Sequence, residues 1–241
     1  MSGSLPLVTC VMPTSNRRRY VSHAVDCFLR QDYAPLELLV VDDGADQVAD
    51  LMPADPRVRY VRLPSRQQIG AKRNAACRLA AGDIIVHWDD DDWSADDRVS
   101  AQVAALMASG ADLCGQSRVL FYEPVADRAW EYCYPADARP WVHGATLCYT
   151  KAFWQRNPFP DIRVGEDTRF VWAGRPQQIV ALDDRRLYVG TIHGGNTSPK
   201  QLTDRRWHVR EVAEARSAMG PTWHAYHRTM AGPATSRTNL S

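Results

Sequence analysis

Residues 70–93 read GAKRNAACRLAAGDIIVHWDDDDW. From Ile69 to Ala81 the chain is rich in alanine and predicts a helix, with Gly82 as its stop. Ile84 to Trp88 is a short unbroken apolar run, the pattern of a strand buried on both faces. Four aspartates, Asp89 to Asp92, follow at once. A helix, a buried strand and then charge at the strand's carboxyl end describe an open α/β sheet, whose ligands sit beyond the strand ends.

Outward from this stretch the alternation repeats. Leu7 to Met12 is a buried strand ending at Pro13, and Tyr20 to Leu29 has helical spacing at Val21, Ala24, Val25 and Phe28. Leu36 to Val41 is a second apolar run, closed by Asp42, Asp43 and Gly44, and Val58 to Leu63 is a third strand. Ala95 to Ala108 predicts a helix ended by Gly110. The fold class is therefore α/β, a mostly parallel sheet flanked by helices on both faces. Pro13–Arg19, Asp42–Gly44 and Asp89–Asp92 are expected around one crevice.

Beyond residue 110 the texture changes. Leu113–Tyr122 and Trp130–Tyr134 read as a strand pair around Glu123–Arg128, and Thr146–Tyr149 as another strand. Pro158 and Pro160 punctuate a loop before Gly165–Glu166–Asp167. Ile179–Leu182 and Arg186–Thr191 are short strands, the second ending at His193–Gly194–Gly195–Asn196. Pro199 is expected to open a helix running to Met219. With no repeat and no linker, one domain is expected over 1–230. It comprises a first half at 5–110, a smaller mixed β half at 111–200 and a C-terminal helix at 200–219, with a polar, mobile tail at 231–241.

Composition bounds the function. The 241 residues are 45% hydrophobic and 24% charged, in the globular range. Twenty-nine basic and 28 acidic side chains leave a net charge of +1, so no nucleic acid partner is expected. No apolar run is long enough to span a membrane, and MSGSLPLVTCVMPTS has neither a basic start nor an apolar core, so no secretory leader is expected. Six scattered cysteines with no C-x-x-C pair read as buried free thiols in a reducing, cytoplasmic setting, and their spacing is wrong for zinc.

Four adjacent carboxylates repel one another, and a divalent cation removes that cost. Hard oxygen donors favour Mg2+ or Mn2+. The competing reading is a solvated acidic loop in which Asp92 or Ser94 caps the next helix. Asp42–Asp43–Gly44 is either a turn or a set of acceptors for a base or ribose. Lys72 and Arg73 sit at a helix start, where the dipole disfavours cations, so an anion is expected beside them. Glu166 and Asp167 are either an acid/base pair or helix-start acids, and His193 among glycines is either structural or a ligand.

The ordered set VTCVMPTSNRRRYVSHAVDCFLRQDY, LELLVVDDGADQ, GAKRNAACRLAAGDIIVHWDDDDW and GEDTRF resembles the inverting family 2 glycosyltransferases of the GT-A fold, over residues 5 to 200. The resemblance implies a nucleotide-sugar donor, with UDP expected, a divalent metal cofactor, and an acceptor hydroxyl on a saccharide, glycolipid or other molecule. It makes 5–110 the nucleotide-sugar half and 111–200 the acceptor side. It places Pro13, Thr14 and Asn16 at the nucleotide, Asp43 on the base, and Lys72 or Arg73 near the base or diphosphate. Asp89 and Asp90 face the ribose and the metal's hydration shell, and Asp91 ligates the metal with His193 as a further ligand. Asp167 becomes the catalytic base, with Glu166 beside it holding the acceptor.

Four aspartates where fewer would do leave the ribose and metal roles free to shift by one position. Arg17–Arg19 are either phosphate contacts or a solvated face. Trp130, Tyr132, Tyr134, Trp141, Phe153 and Trp154 are either sugar-stacking faces or core. The basic and apolar 200–219 helix is read as packing on its own domain, with docking on a membrane surface or a second copy of the chain as the other options. A nucleotidyltransferase is the rival enzyme reading, although Pro13–Arg19 lacks the glycines of a phosphate loop. A non-catalytic nucleotide- or metal-binding module is the rival outside enzymes.

Overall fold

The computed structural model describes residues 4–175 and 178–231. The first strands are β1 (Val8–Thr14), β2 (Leu36–Asp42), β3 (Val58–Arg62) and β4 (Ile84–His87). They pair in parallel in the order β3-β2-β1-β4, with α1 (Arg18–Leu29) and α2 (Ile69–Leu79) as crossovers. Alternate side chains of β1 serve opposite faces. Val8, Cys10 and Met12 join α1 in one core cluster, and Val11 joins Ala76 and Cys77 of α2 in the other. Both faces are covered over β1, β2 and β4, which is why those strands read as apolar runs, whereas the edge strand β3 (VRYVR) alternates and is half-exposed.

The sheet is completed by β6 (Leu113–Gln116), β9 (Cys148–Thr150) and β10 (Ile179–Leu182), giving the order β10-β6-β9-β4-β1-β2-β3. Only β9 runs antiparallel to its neighbours. A second, five-stranded sheet has the order β12-β8-β7-β11-β5. It comprises β5 (Trp93–Ser94), β7 (Arg118–Glu123), β8 (Arg128–Cys133), β11 (Tyr188–Thr191) and β12 (Trp207–Arg210). The remaining helices are α3 (Arg98–Ser109), α4 (Lys151–Arg156), α5 (Glu166–Ala173), α6 (Val212–Met219) and α7 (Trp223–Ala231). Among the described residues, no helix is long and apolar enough to cross a membrane.

Several expectations are corrected. The helix predicted over 200–219 is a turn-rich loop, then β12, then α6. Trp207 turns its ring against Phe121 and Tyr132 while the next residue, His208, is exposed, and β12 takes the free edge of β8. Sheet pairing thus overrides a helical reading carried mainly by Val212, Ala215 and Met219. The predicted strand 113–122 is two strands in different sheets, separated by Ser117. Gly82 does not stop α2, which ends by Ala80. The helix after the aspartates starts at Arg98 with Asp97 as N-cap, so neither Asp92 nor Ser94 caps it. The tail expected at 231–241 lies, from residue 232, outside the described residues.

Candidate active site

A cleft of about 1430 Å3 lies where the two sheets meet. Its lining includes Pro13, Thr14 and Ser15 after β1, Lys72 and Arg73 of α2, all four aspartates after β4, and Glu166 and Asp167. Those eight predicted residues (Pro13, Thr14, Lys72, Asp89, Asp90, Asp91, Glu166, Asp167) are brought together. Asn16, Asp43 and His193 are not in the lining. Asn16 is exposed, takes a positive φ of 55°, and accepts from the Asp46 amide at 2.9 Å. Asp42 and Asp43 are buried. Asp42 accepts from the Gly44 and Val48 amides and the Tyr60 hydroxyl, so the turn reading holds for it.

The anion expected beside Lys72 and Arg73 is supplied by the chain itself. Lys72 Nζ donates to Asp43 Oδ1 at 2.6 Å and to the Thr14 carbonyl at 2.9 Å. Burial acts to raise the Asp43 pKa, but Lys72 and the Gln67 amide hold it below the usual carboxylate value. Arg73 pairs with Glu166, both buried. Asn74 completes the series by bonding to both the Phe159 carbonyl and amide, at 2.8 and 3.0 Å. Three consecutive residues of α2 thus fix β1, β2 and the loop before α5.

The aspartates are not a solvated loop, since Asp90 and Asp91 are buried. Ligand atoms of Asp89, Asp91 and Asp92 lie within 4.8 Å of one another, an all-oxygen donor set of the kind hard divalent cations take. His193 is outside that trio. Its Nε2 is 2.9 Å from Asp91 Oδ2, and its Nδ1 is 3.4 Å from the Tyr20 hydroxyl. Burial raises Asp91, but the bonds from His193 and the Arg17 charge outweigh it and keep its pKa low. Burial and the neighbouring Asp91 charge push Asp90 up to about 7, against the pull of Arg17. Asp92 accepts from the Tyr188 hydroxyl and, at 2.6 Å, from the Thr191 amide.

Across the cleft, Gly165 takes a φ of +83° and opens α5, placing Glu166 and Asp167 in its first turn, where the dipole favours carboxylates. Burial raises the Glu166 pKa, opposed by Arg73. Asp167 Oδ1 accepts from the Thr168 amide at 2.7 Å. Its Oδ2 rests against Gly144, where an added Cβ would lie only 1.9 Å away. The Gly144 carbonyl is 2.6 Å from His87 Nδ1, so the last residue of β4 holds that turn in place.

Thr14 Oγ1, Ser15 Oγ, Arg73 Nε and Asp90 Oδ2 are buried without a hydrogen-bond partner among the described residues, and all four residues line the cleft. Buried orphan groups of this kind cost free energy unless something binds them. Of the six aromatics named from the sequence, Tyr132 and Trp141 line the cleft, while Trp130, Tyr134, Phe153 and Trp154 do not. Sequence reasoning missed Phe121, His143 and Trp207 on that wall, and Gly144 behind Asp167. The alternation around Trp207 was the available signal for one of them. The Arg17–Arg19 run is split three ways, with Arg17 on Asp90 and Asp91, Arg18 on Asp50, and Arg19 on the carbonyls of Thr229 and Met230.

The family model Glycosyl transferase family 2 matches residues 9–163, well over half of the chain. A chondroitin synthase of Escherichia coli is 32% identical over 92% of this chain and 34% of its own length. The chain covers less than half the length of each of the curated relatives first matched. Among solved structures, S. aureus TarS 1–349 in complex with UDP-GlcNAc aligns with a TM-score of 0.62 at 18% identity, covering 79% of this chain and 60% of that one. The mannosyltransferase PcManGT from Pyrobaculum calidifontis, in complex with GDP-Man and Mn2+, aligns at 0.58 with 19% identity, covering 81% of this chain and 58% of that one. The architecture is that of the GT-A glycosyltransferases.

Proposed function

Because this chain belongs to glycosyl transferase family 2, we propose that it transfers a sugar, with inversion, from a nucleotide-sugar donor to an acceptor hydroxyl. The observation that carries the reading is the set of buried, unpartnered polar atoms on Thr14, Ser15, Arg73 and Asp90 at the mouth of the parallel strands. A nucleoside diphosphate offers the oxygens and N–H groups to satisfy them. UDP is the proposed nucleotide, in keeping with the UDP-GlcNAc bound by TarS. Residues 5–110 hold the donor, 111–200 face the acceptor, and 1–230 act as one domain, supported by a cleft lined from both halves.

Asp89, Asp91 and Asp92 are assigned to hold a divalent cation, Mn2+ or Mg2+. When bound, it supplies positive charge where the diphosphate leaving group becomes negative. His193 steadies Asp91 Oδ2 through Nε2. Asp90, buried with one oxygen free, is left to accept from the ribose. Lys72 and Asp43 brace each other, so Asp43 reaches the base only through a lone pair that Lys72 leaves open. Asn16 borders the nucleotide from outside the cleft lining.

Asp167 is the proposed base. Its Oδ2 takes the acceptor proton as the hydroxyl oxygen bonds to the anomeric carbon and the bond to the diphosphate breaks. Glu166, fixed by Arg73, holds the acceptor beside it. The wall of Phe121, Tyr132, Trp141 and Trp207 suits a saccharide ring. Six cysteines without a disulfide support a cytoplasmic setting.

The test is thermal melting with UDP, GDP and other diphosphates, each with Mn2+, Mg2+ or EDTA. UDP with metal is expected to raise Tm and EDTA to abolish the rise. No rise with any nucleotide sinks the reading. Asp167→Asn is expected to keep the rise while donor turnover falls about 10²–10⁴-fold.

A further inference from the structure

Asp91 Oδ2 is crowded with donors. Arg17 Nη1 bonds to it, His193 Nε2 lies 2.9 Å away and Asn196 Nδ2 3.4 Å away. The same Nη1 is 3.2 Å from Asp90 Oδ1. The other guanidinium nitrogen, Nη2, donates to the Gly195 carbonyl at 2.6 Å and is 3.4 Å from Thr197 Oγ1. The Arg17 side chain is 17% exposed and lines the cleft, whereas Arg18 and Arg19 are engaged elsewhere. Asp91 is also one of the three carboxylates that converge as a cation site. A carboxylate oxygen has about two lone pairs, and a guanidinium and a divalent ion repel at contact. An ion drawn to Asp91 therefore competes with Arg17 for that carboxylate.

We propose that Arg17 is a resident counter-cation of the aspartate cluster, which competes with a divalent ion for Asp91 and is displaced from it when the ion binds. The inference rests on the assignment of Asp89, Asp91 and Asp92 as the cation site. Without the ion, Arg17 supplies the positive charge that lets two buried aspartates stand side by side. The exchange replaces one cation by another and makes or breaks no covalent bond. Nη2 meanwhile ties Arg17 to Gly195 and Thr197, in a loop that Asn196 also holds through the Thr191 carbonyl and the His193 amide.

The test measures Mn2+ binding alone, from the electron paramagnetic resonance signal of the free ion, with no nucleotide and no turnover. Arg17→Gln is expected to bind Mn2+ at least tenfold more tightly than wild type. Arg17→Lys keeps the charge and stays within about threefold of wild type, and Asp91→Asn loses binding. If Arg17→Gln binds no more tightly than wild type, the counter-cation is refuted and the cation site stands. If neither wild type nor Arg17→Gln takes up the ion at millimolar concentration, both fall. Should Arg17→Gln not fold, wild type alone decides. Phenylglyoxal labelling of Arg17, read by mass spectrometry of its peptide, rises several-fold with saturating Mn2+, and unchanged labelling overturns the proposal.

Discussion

Gly144 shows how much a single position carries. It is the hydrogen in place of a side chain that lets Asp167 Oδ2 sit where it does. Gly144→Ala is expected to push that carboxylate aside and lower turnover roughly a hundredfold, the order of loss that a displacement near 1 Å brings. The nucleotide-dependent rise in Tm should survive, and its loss would show that the glycine serves the fold and not the placement of Asp167. Asp89–Asp92, Glu166 and Asp167 were legible because adjacent carboxylates at element ends announce themselves. Gly144 was not, because a glycine is informative only beside the group it admits, and here that group is over twenty residues away. Asp43 and Lys72 were each legible as charges, but that they spend those charges on one another is a matter of tertiary placement.

Elements followed the same logic. The strands and helices up to Gly110 were legible because β1, β2 and β4 are buried apolar runs and the half-exposed edge strand β3 alternates. In the second sheet the largely buried β7, β8 and β11 were legible as strands, while the two-residue β5 and the half-exposed β12 were not. β12 has only four residues, and Val209 within it is 78% exposed. The partner strand decides its conformation, and a sequence window does not contain the partner. In the same sheet Gly190 of β11 stands opposite Phe121 of β7, and a Cβ there would fall 2.4 Å from the ring. Gly190→Ala should cost about 1–3 kcal/mol, read as a lower denaturant midpoint at unchanged slope. Adding Phe121→Leu should recover part of the loss. A double variant no more stable than Gly190→Ala would exclude the ring as the cause.

At the scale of the molecule, Arg98 clamps the sheets together. It is 1% exposed, has no carboxylate partner among the described residues, and lies between the rings of Trp88 and Tyr188 at 5.2 and 5.0 Å. It donates to the carbonyls of His87 and Ala145, to Ser94 Oγ and to Gln102 Oε1. Those contacts join β4, the Gly144 turn, β5 and α3. Arg98→Met keeps much of the volume but leaves two buried carbonyls short of a donor, for an expected loss of about 2–4 kcal/mol in urea unfolding. A change below about 0.5 kcal/mol would mean the sheets hold together without it. The four aspartates have a further consequence for how the protein is made. Tyr188, Thr191, His193 and Asn196, which hold them, lie 96 to 105 residues further along the chain. At roughly 5–20 residues per second, a nascent chain waits about 5–20 s on the ribosome between exposing its acidic cluster and making the residues that shelter it. The parallel core can form in that interval, but the site cannot, so an interrupted translation product carries the donor-side fold without a finished centre.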